Sequence, residues 1–590
     1  MKKYRYLIGT GVLLAALAPL QTHAAANTWN NGSADSAWNT TSADWTSPTT
    51  WTQGDDAIFD VTGAGVITLW EGILVSNMTF NAGGYQINGG GLHLTNSVVT
   101  ANASNNLAVS ISGTQSLTIQ GTSPTVLLGD PLQVFANDFT GGTYVRSGKL
   151  ILRATGVNTD GSAYAVGNIE AIDTGATVEI GTLNDGSDPT GGCLGCLTAN
   201  VRPADGQIRR GGNFGRLNLT GGTFDNNGDN NGIVYPPPEG TGTIINTSPY
   251  QRGVMKLTRN DGGTFVFNGQ IKDGGVTITK TNGGPGYQEG VDMNGGNFKL
   301  VLGGSNSFTG FLRLSSGGTN NMIILTNAGT LGYPSPYNCP ARQILMNSGT
   351  IDLNGTSQKV GYVYTGNGAD SIITNSAQCT VSTLTACYNC TNLVPFNGVA
   401  TPRGIRCGLL DDPTTGGILA LVKEGVAIQP IGVYAADVGS ALPNNYHGDT
   451  TVNNGILEVL SVNGISPNSA YRLNTTQGKL QLDYTGTANV RQLWIDGVQQ
   501  PNGVYGSAQT TAITGPGTLT ITGYASPVTL NVSRSGNTLT FSWAGVYKLE
   551  AKTNDINGPW FNYPGCSSSP VNVPIDSAHT SVFYRLATFP

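Results

Sequence analysis

Charged side chains are scarce in this chain. Of its 590 residues, 29 are lysine or arginine and 35 are aspartate or glutamate, so charged residues make up 11%. An ordinary soluble domain has about 25%. The net charge of -6, without any basic run, excludes the electrostatic footprint of a nucleic-acid-binding protein. A hydrophobic fraction of 38% excludes a disordered chain, so the sequence predicts a folded protein without a nucleic-acid partner.

Helix-forming segments and long apolar runs are also nearly absent. Stretches built on alanine, leucine, glutamate and lysine are rare, whereas 84 glycines and abundant threonine and asparagine favour turns and strands. Beyond the amino terminus, no run approaches the roughly 18 apolar residues of a membrane span. The composition therefore predicts an all-β protein rich in turns, with no membrane span in the mature chain.

The exception is an apolar run at the amino terminus. Lys2, Lys3 and Arg5 precede an apolar stretch at 7–20, and small residues end the segment at Ala26. This order is typical of a secretory signal peptide, so residues 1–26 are predicted to be removed and the mature protein to be secreted or held at the cell surface. The alternative is an uncleaved membrane anchor, which the shortness of the run disfavours.

Eight cysteines fit an oxidising compartment but are too few in so long a chain to define a disulfide scaffold. Two, Cys339 and Cys566, stand alone; the others form a CxxC pair and a crowded group of four: Cys193 and Cys196, then Cys379, Cys387, Cys390 and Cys407. Zinc binding and a redox-active CxxC are the alternatives. Since no histidine lies near the four and no βαβ pattern surrounds either CxxC, local disulfides are predicted, with no metal or cofactor.

Internal repeats occur between residues 65 and 525, where short strand patterns of period two are closed by glycine, asparagine or aspartate. The segment 139–152 aligns without gaps with 446–459. The shared positions are Phe139, Gly141, Thr143, Val145, Gly148 and Leu150 in the first copy, and Tyr446, Gly448, Thr450, Val452, Gly455 and Leu457 in the second. A looser third copy begins at Asn306. A second shared phrase, at 271–280 and 410–423, precedes two of the copies.

These repeats predict a right-handed parallel β-helix. Alternate apolar residues would point into the bore, glycine would permit sharp corners, and ladder hydrogen bonds would join successive coils. The expected organisation is a signal peptide at 1–26, a tryptophan-rich cap at 27–64, a β-helix with insertions at 65–525 and a small β-module at 526–590. Five tryptophans near the start favour a cap over the first coil rather than a sugar-stacking platform: Trp29, Trp38, Trp45, Trp51 and Trp70.

The phrases at 139–152, 446–459 and 271–280 resemble the autotransporter-associated β-strand repeat, also called the passenger-associated transport repeat, of large secreted bacterial proteins. The start of the mature chain and the last coils, at 478–519, are similar to the same family. The resemblance implies a β-helix with an extracellular role. Because no translocator barrel of alternating strands precedes Pro590, we expect a repeat protein that lacks this barrel.

Catalytic motifs are nearly absent as well. The segment 158–161 resembles the first catalytic motif of polygalacturonases, but the partner motifs do not follow at that family's spacing, so a turn is predicted. The acidic pairs at 55–56 and 411–412 are also typical of turns. His447 stands where Thr140 stands in the first repeat copy, which predicts a surface position. No catalytic, cofactor-binding or metal-binding residue is predicted.

We therefore expect an exported, non-enzymatic β-helix protein with a structural or adhesive role at the cell surface or in the extracellular matrix. Its expected partners are surface polysaccharide or other cell-surface proteins. One alternative is a β-helix that binds or degrades polysaccharide, which requires carboxylates and a basic residue converging in one groove. The other is a self-assembling filament subunit, since coil ends are potential strand-pairing surfaces.

Overall fold

The computed structural model describes the chain from residue 24 to residue 587, except for the segments 61–64, 128–136, 138, 140, 153–167, 181–215, 228–229, 248–253, 276–289, 309, 317–319, 329, 332–342, 366–370, 389–403, 433–441, 522, 524–528, 544–546, 555–556 and 565–568. The described residues form fifty strands and a single-turn 3-10 helix at Val462–Gly464. Among them, no helix is long and apolar enough to cross a membrane.

The first half of the chain contains short strands. They are β1 (Ala26–Thr28), β2 (Ala37–Trp38), β3 (Asp56–Phe59), β4 (Val66–Leu69), β5 (Ile73–Phe80), β6 (Tyr85–Ala101), β7 (Asn105–Ser112), β8 (Leu117–Gly121), β9 (Pro124–Leu127), β10 (Thr143–Val145), β11 (Lys149–Leu152), β12 (Ile169–Ile172), β13 (Thr177–Ile180), β14 (Leu217–Leu219), β15 (Thr223–Asp225), β16 (Asn230–Tyr235), β17 (Pro238–Gly240), β18 (Thr243–Ile245), β19 (Val254–Arg259), β20 (Thr264–Phe267), β21 (Gln270–Ile271), β22 (Val291–Gly296) and β23 (Lys299–Leu302).

The pattern continues to the carboxyl terminus. The remaining strands are β24 (Leu312–Ser316), β25 (Met322–Leu325), β26 (Gln343–Met346), β27 (Gly349–Asp352), β28 (Gln358–Val360), β29 (Tyr362–Thr365), β30 (Ser371–Thr374), β31 (Val381–Cys387), β32 (Gly408–Leu409), β33 (Ile418–Glu424), β34 (Ile428–Ile431), β35 (Thr450–Val452), β36 (Gly455–Val459), β37 (Ala470–Leu473), β38 (Gly478–Leu482), β39 (Thr487–Val490), β40 (Gln492–Ile495), β41 (Val498–Gln499), β42 (Val504–Tyr505), β43 (Ile513–Thr514), β44 (Thr518–Ile521), β45 (Asn531–Ser535), β46 (Thr538–Ser542), β47 (Lys548–Thr553), β48 (Phe561–Asn562), β49 (Val571–Pro574) and β50 (Val582–Ala587).

Strands pair in parallel with strands one coil later in the chain. For example, β36 pairs with β34 on one side and with β38 on the other. Ile73 lies opposite Leu92, and Gly455 lies opposite Gly478, so coils without insertions take 19 to 23 residues. Such stacking of neighbouring coils is the architecture of a parallel β-helix, which confirms the predicted fold class. The right-handed sense of the coil stays a prediction.

The core follows from the period-two pattern. In β11, Leu150 and Leu152 are fully buried, whereas the alternate residues Lys149 and Ile151 are half-buried on the outer face. Repetition of this pattern produces one continuous hydrophobic cluster that extends from Trp29 to Ile521. Each coil therefore buries its apolar side chains against those of the coils before and after it.

The last described segment is a small module with antiparallel sheets. One sheet contains β45, β46 and β49, and the other contains β48, β47 and β50. Its hydrophobic cluster includes Phe541, Trp543 and Leu549 together with Cys379, which lies between β30 and β31 of the β-helix. The module therefore packs against the side of a coil that precedes it by about 150 residues in sequence.

Candidate functional site

The three repeat copies share a buried asparagine two positions before the aromatic residue. These asparagines are 2–3% exposed. In each copy the asparagine oxygen Oδ1 accepts the backbone N–H of an apolar residue one coil earlier, at 2.7, 2.7 and 3.0 Å: Ile111 to Asn137, Ile271 to Asn306 and Leu409 to Asn444. The repeat therefore encodes a recurring side-chain connection between coils.

Two of these asparagines also reach the following coil. Nδ2 of Asn306 donates to the carbonyl of Thr330 at 2.5 Å, and Nδ2 of Asn444 donates to the carbonyl of Gly464 at 2.9 Å. One buried amide thus joins three successive coils. Sequence reasoning did not single out these residues, although an asparagine stands at the same spacing from the aromatic residue in all three copies.

The predicted repeat positions occupy equivalent places in the first and second copies. The aromatic, threonine, valine and leucine of both copies are buried. A Cβ on Gly141 would lie 2.2 Å from the carbonyl carbon of Gln115, and a Cβ on Gly448 would lie 2.4 Å from the carbonyl oxygen of Leu419. Only glycine fits where the backbones of adjacent coils approach so closely. The repeat motif is therefore a packing motif.

Four of the five amino-terminal tryptophans lie in the core. The ring of Trp38 packs edge-on against Trp45 at 5.2 Å and against Trp51 at 5.1 Å, and Trp29 packs against Trp45 at 5.3 Å. Trp70 differs, because it follows β4 on the outer face and is 73% exposed. Trp70, which follows the predicted cap of 27–64 in sequence, is therefore not part of the buried tryptophan cluster.

Buried aspartates accept hydrogen bonds at turns between coils. Asp225 accepts the backbone N–H groups of Asn227 at 2.9 Å and Thr247 at 3.1 Å, as well as the Thr247 hydroxyl. Asp352 accepts the backbone N–H groups of Asn354 and Ser376 in the same way. Burial raises the pKa of Asp225, and the hydrogen bonds to Thr247 and Asn227 oppose this shift. These carboxylates therefore connect turns of successive coils by hydrogen bonds.

The two aspartates of the acidic pair at 411–412 form hydrogen bonds at turns. Asp411 Oδ2 lies 2.6 Å from His447 Nδ1 on the next coil, and Asp411 Oδ1 accepts the backbone N–H of Leu419 at 2.8 Å. Asp412 accepts the backbone N–H of Thr414 at 2.7 Å. His447 is half-buried at the coil surface, and among the described residues its Nε2 has no hydrogen-bond partner. An aspartate can orient an imidazole as a general base, but the described residues place no nucleophile on this ring.

The other acidic pair, at 55–56, makes hydrogen bonds between coils. Burial raises the pKa of Asp55, which is 7% exposed, and Asp56 accepts both the backbone and the side-chain N–H of Asn77 at about 3 Å. The segment 158–161 lies outside the described residues. The pair at 55–56 therefore lies in a coil contact.

The structure also brings together two carboxylates that sequence reasoning missed. Gln481 Nε2 lies 2.6 Å from Asp483 Oδ2 and 3.4 Å from Glu458 Oε1. Glu458 is 8% exposed, and burial together with Asp483 raises its pKa to about 7. Glu458 and Asp483 are separated in the sequence by one coil length plus two residues. Because this separation depends on how the coils align, the sequence alone does not reveal the contact.

Basic side chains pair with carboxylates of neighbouring coils. Arg216 contacts Glu170 at 2.7 Å and Glu239 at 2.9 Å, while Asp449 accepts from both Arg472 and Arg491. Within the described part of the chain, neither Glu458 nor Asp483 forms an ion pair, and no three histidine, cysteine, aspartate or glutamate side chains gather into a metal-binding group. The ion pairs of Arg216 and Asp449 therefore link neighbouring coils.

Of the six cysteines predicted to form disulfides, the structure describes three. Cys387 and Cys407 are free and buried, so the prediction of disulfides at these two positions is wrong; Cys407 packs in the hydrophobic core of the coils. Burial raises the pKa of Cys407 to about 12. Cys379 is disulfide-bonded, as predicted for this residue, and packs in the hydrophobic cluster of the carboxyl-terminal module, with Sγ 3.8 Å from the carbonyl oxygen of Tyr563. The others lie outside the described residues: Cys193, Cys196, Cys339, Cys390 and Cys566.

No protein-family model matches the chain, and no curated protein or solved structure matches it.

Proposed function

We propose that this protein is an exported structural or adhesive β-helix protein of the cell surface or extracellular matrix. The observation that carries the proposal is the use of its scarce charges. Arg216, Asp225, Asp352 and Asp449 make contacts between turns or between coils, rather than converging on a groove. Because these side chains bond to neighbouring turns and coils, they support a role as a scaffold more than a role in catalysis.

Export is part of the proposal. The basic start, apolar stretch and small residues of 1–26 support cleavage of a signal peptide. The repeat phrases support membership in the passenger-associated class of secreted repeat proteins. Cys379 is disulfide-bonded and lies in the module's hydrophobic cluster, which supports an oxidising compartment.

Expression of the full chain in a bacterium with two membranes tests export and display. We expect cleavage at about residue 26, which the intact mass of the product measures. We also expect the exported protein to be degraded when protease is added to unbroken cells. The matched control is a chain that lacks residues 1–26, which should stay inside and be protected. Retention of the full chain in the cytoplasm would contradict the proposal.

Adhesion is tested with the purified mature protein on beads. We expect these beads to be retained on polysaccharide-coated or cell-coated surfaces more strongly than beads carrying the same protein after heat unfolding, because adhesion by a stacked coil surface requires the fold. Equal retention of both preparations would argue against an adhesive role and leave a structural role.

A second candidate function is polysaccharide binding or degradation. Glu458 and Asp483 favour it, because a carboxyl group with a raised pKa beside another carboxylate is the arrangement that glycoside hydrolysis uses. The exposed ring of Trp70 could stack on a sugar elsewhere on the surface. A saturable polysaccharide affinity that Trp70→Ala abolishes would support binding, with the buried-ring variant Trp543→Phe as the control.

A further inference from the structure

Glu458 and Asp483 lie on the outer face of adjacent coils. Glu458 is on β36 directly opposite Gln481 on β38, and Asp483 follows the end of β38. The alternate residues of both strands, such as Leu457 and Leu480, are buried in the core. Because strand residues alternate between faces, Glu458 and Gln481 point away from the core.

The two carboxylates share one amide and, among the described residues, form no ion pair with a basic side chain. Nε2 of Gln481 contacts both of them, at 3.4 and 2.6 Å. The second oxygen of Glu458, Oε2, is buried and accepts no N–H or O–H donor among the described residues, while Asp483 is close enough to Glu458 to share a proton with it. Glu458 itself is more than nine-tenths buried. A buried carboxylate oxygen without a partner is unfavourable unless a proton or a cation occupies the position beside it.

A hydroxyl group of the next coil lies opposite the shared amide. Thr514, on the next coil, lies directly opposite Gln481 and is half-buried. A Cβ on Gly515 would lie 2.4 Å from the carbonyl oxygen of Leu482 and 3.0 Å from Asp483 Oδ1, so the backbone of the next coil closely approaches this carboxylate. Gln481 and Asp483 are half-buried, so both side chains are in part accessible to solvent.

We propose that Glu458, Gln481, Asp483 and Thr514 form a calcium-binding site between adjacent coils. Calcium binds carboxylate, amide and hydroxyl oxygens in flexible geometry, whereas magnesium demands a near-ideal octahedron. Rotation of the Gln481 amide would present its oxygen to the ion in place of its nitrogen. With two carboxylates, the site should have the weak affinity, about 0.1–1 mM, that is typical of extracellular calcium modules. It goes beyond the proposed function and does not depend on it.

Calorimetric titration of the mature protein with calcium chloride, after treatment with a chelator, tests the site. The pH should exceed the pKa of Glu458, about 7, so that protons do not compete. We expect one saturable binding event, and at least about tenfold weaker binding by Glu458→Gln and Asp483→Asn, since each removes a charged ligand. The matched control is Asp576→Asn, which alters an exposed carboxylate of the module. Absence of binding up to about 10 mM, or equal binding by all variants, would overturn the proposal.

Thermal unfolding separates loss of a ligand from loss of the fold. Without calcium, Glu458→Gln should melt at or above the wild-type temperature, because the variant removes a buried charge beside Asp483. With calcium, the melting temperature of wild type should rise and that of Glu458→Gln should stay constant. A Glu458→Gln protein that melts well below wild type in chelator would contradict the site, since the carboxylate would then have a structural partner.

Discussion

The backbone N–H of Leu409 donates to the side-chain oxygen of Asn444, 3.0 Å away and 35 residues later in the chain. Asn444 is 3% exposed, and its amide nitrogen donates onward to Gly464. The corresponding bonds at Asn137 and Asn306 show that the arrangement belongs to the repeat. In these coils, side-chain amides supplement the backbone ladder.

Replacement of Asn444 by alanine should therefore destabilise the stack. The change leaves the N–H of Leu409 and the carbonyl of Gly464 without partners, and each buried unsatisfied group costs about 1–3 kcal/mol. We expect Asn444→Ala to lower the free energy of unfolding by about 2–4 kcal/mol, measured by urea denaturation. Asn453→Ala, at an exposed position, should change it by less than about 0.5 kcal/mol. Equal losses for both variants would refute the connection.

The aromatic residue of the repeat differs by one hydroxyl group between the two aligned copies, Phe139 and Tyr446. Tyr446 Oη lies 2.6 Å from Thr450 Oγ1, whereas Thr143 Oγ1, beside Phe139 in the first copy, is buried without a partner among the described residues. We expect Phe139→Tyr to supply this partner and raise the free energy of unfolding by about 1 kcal/mol, and Tyr446→Phe to lower it by a similar amount. Calorimetric melting measures both changes. Destabilisation by Phe139→Tyr would show that the copies are not equivalent.

Lys423 is buried among carbonyl groups. Its Nζ donates to the carbonyls of Glu424, Gly425 and Asn454 at 2.6, 2.7 and 3.0 Å. Lys423→Met should leave these oxygens without that donor and lower the free energy of unfolding by about 2–4 kcal/mol, while the exposed change Lys479→Met should have little effect. Urea denaturation of both variants checks this. Equal stability of the two would contradict the role of Lys423.

The same lysine predicts a pH dependence. Burial lowers the pKa of Lys423 from 10.5 to about 8, so the folded protein binds fewer protons than the unfolded chain between these values. Stability should therefore rise with pH in this window for wild type, and this contribution should disappear in Lys423→Met.

Glu458 predicts the opposite dependence at lower pH. Its pKa is raised from 4.5 to about 7, so the folded protein binds more protons than the unfolded chain between these values. In calcium-free buffer, the free energy of unfolding should fall by about 1–2 kcal/mol as the pH rises through this window, and Glu458→Gln should lack this fall. Denaturation at both ends of the window measures the difference. A slope shared by wild type and variant would show that other groups cause it.

Local sequence patterns predicted the fold class, but they did not predict the site formed by Glu458 and Asp483. The alternation at Leu150 and Leu152 predicted a strand with one buried face, and the glycines at 141 and 448 predicted tight corners. Glu458 and Asp483 could not be paired from the sequence, because their contact depends on how many residues each coil takes. Cys387 and Cys407 are close in sequence, but strand direction and burial determine whether two thiols can meet.

Incubation of the purified mature protein with a panel of polysaccharides tests the central claim most directly. A scaffold whose charges serve coil stacking should release no reducing ends and no unsaturated sugars beyond those of the heat-unfolded control. Release by the native protein that disappears in Glu458→Gln or Asp483→Asn would contradict the account and establish these carboxylates as catalytic residues.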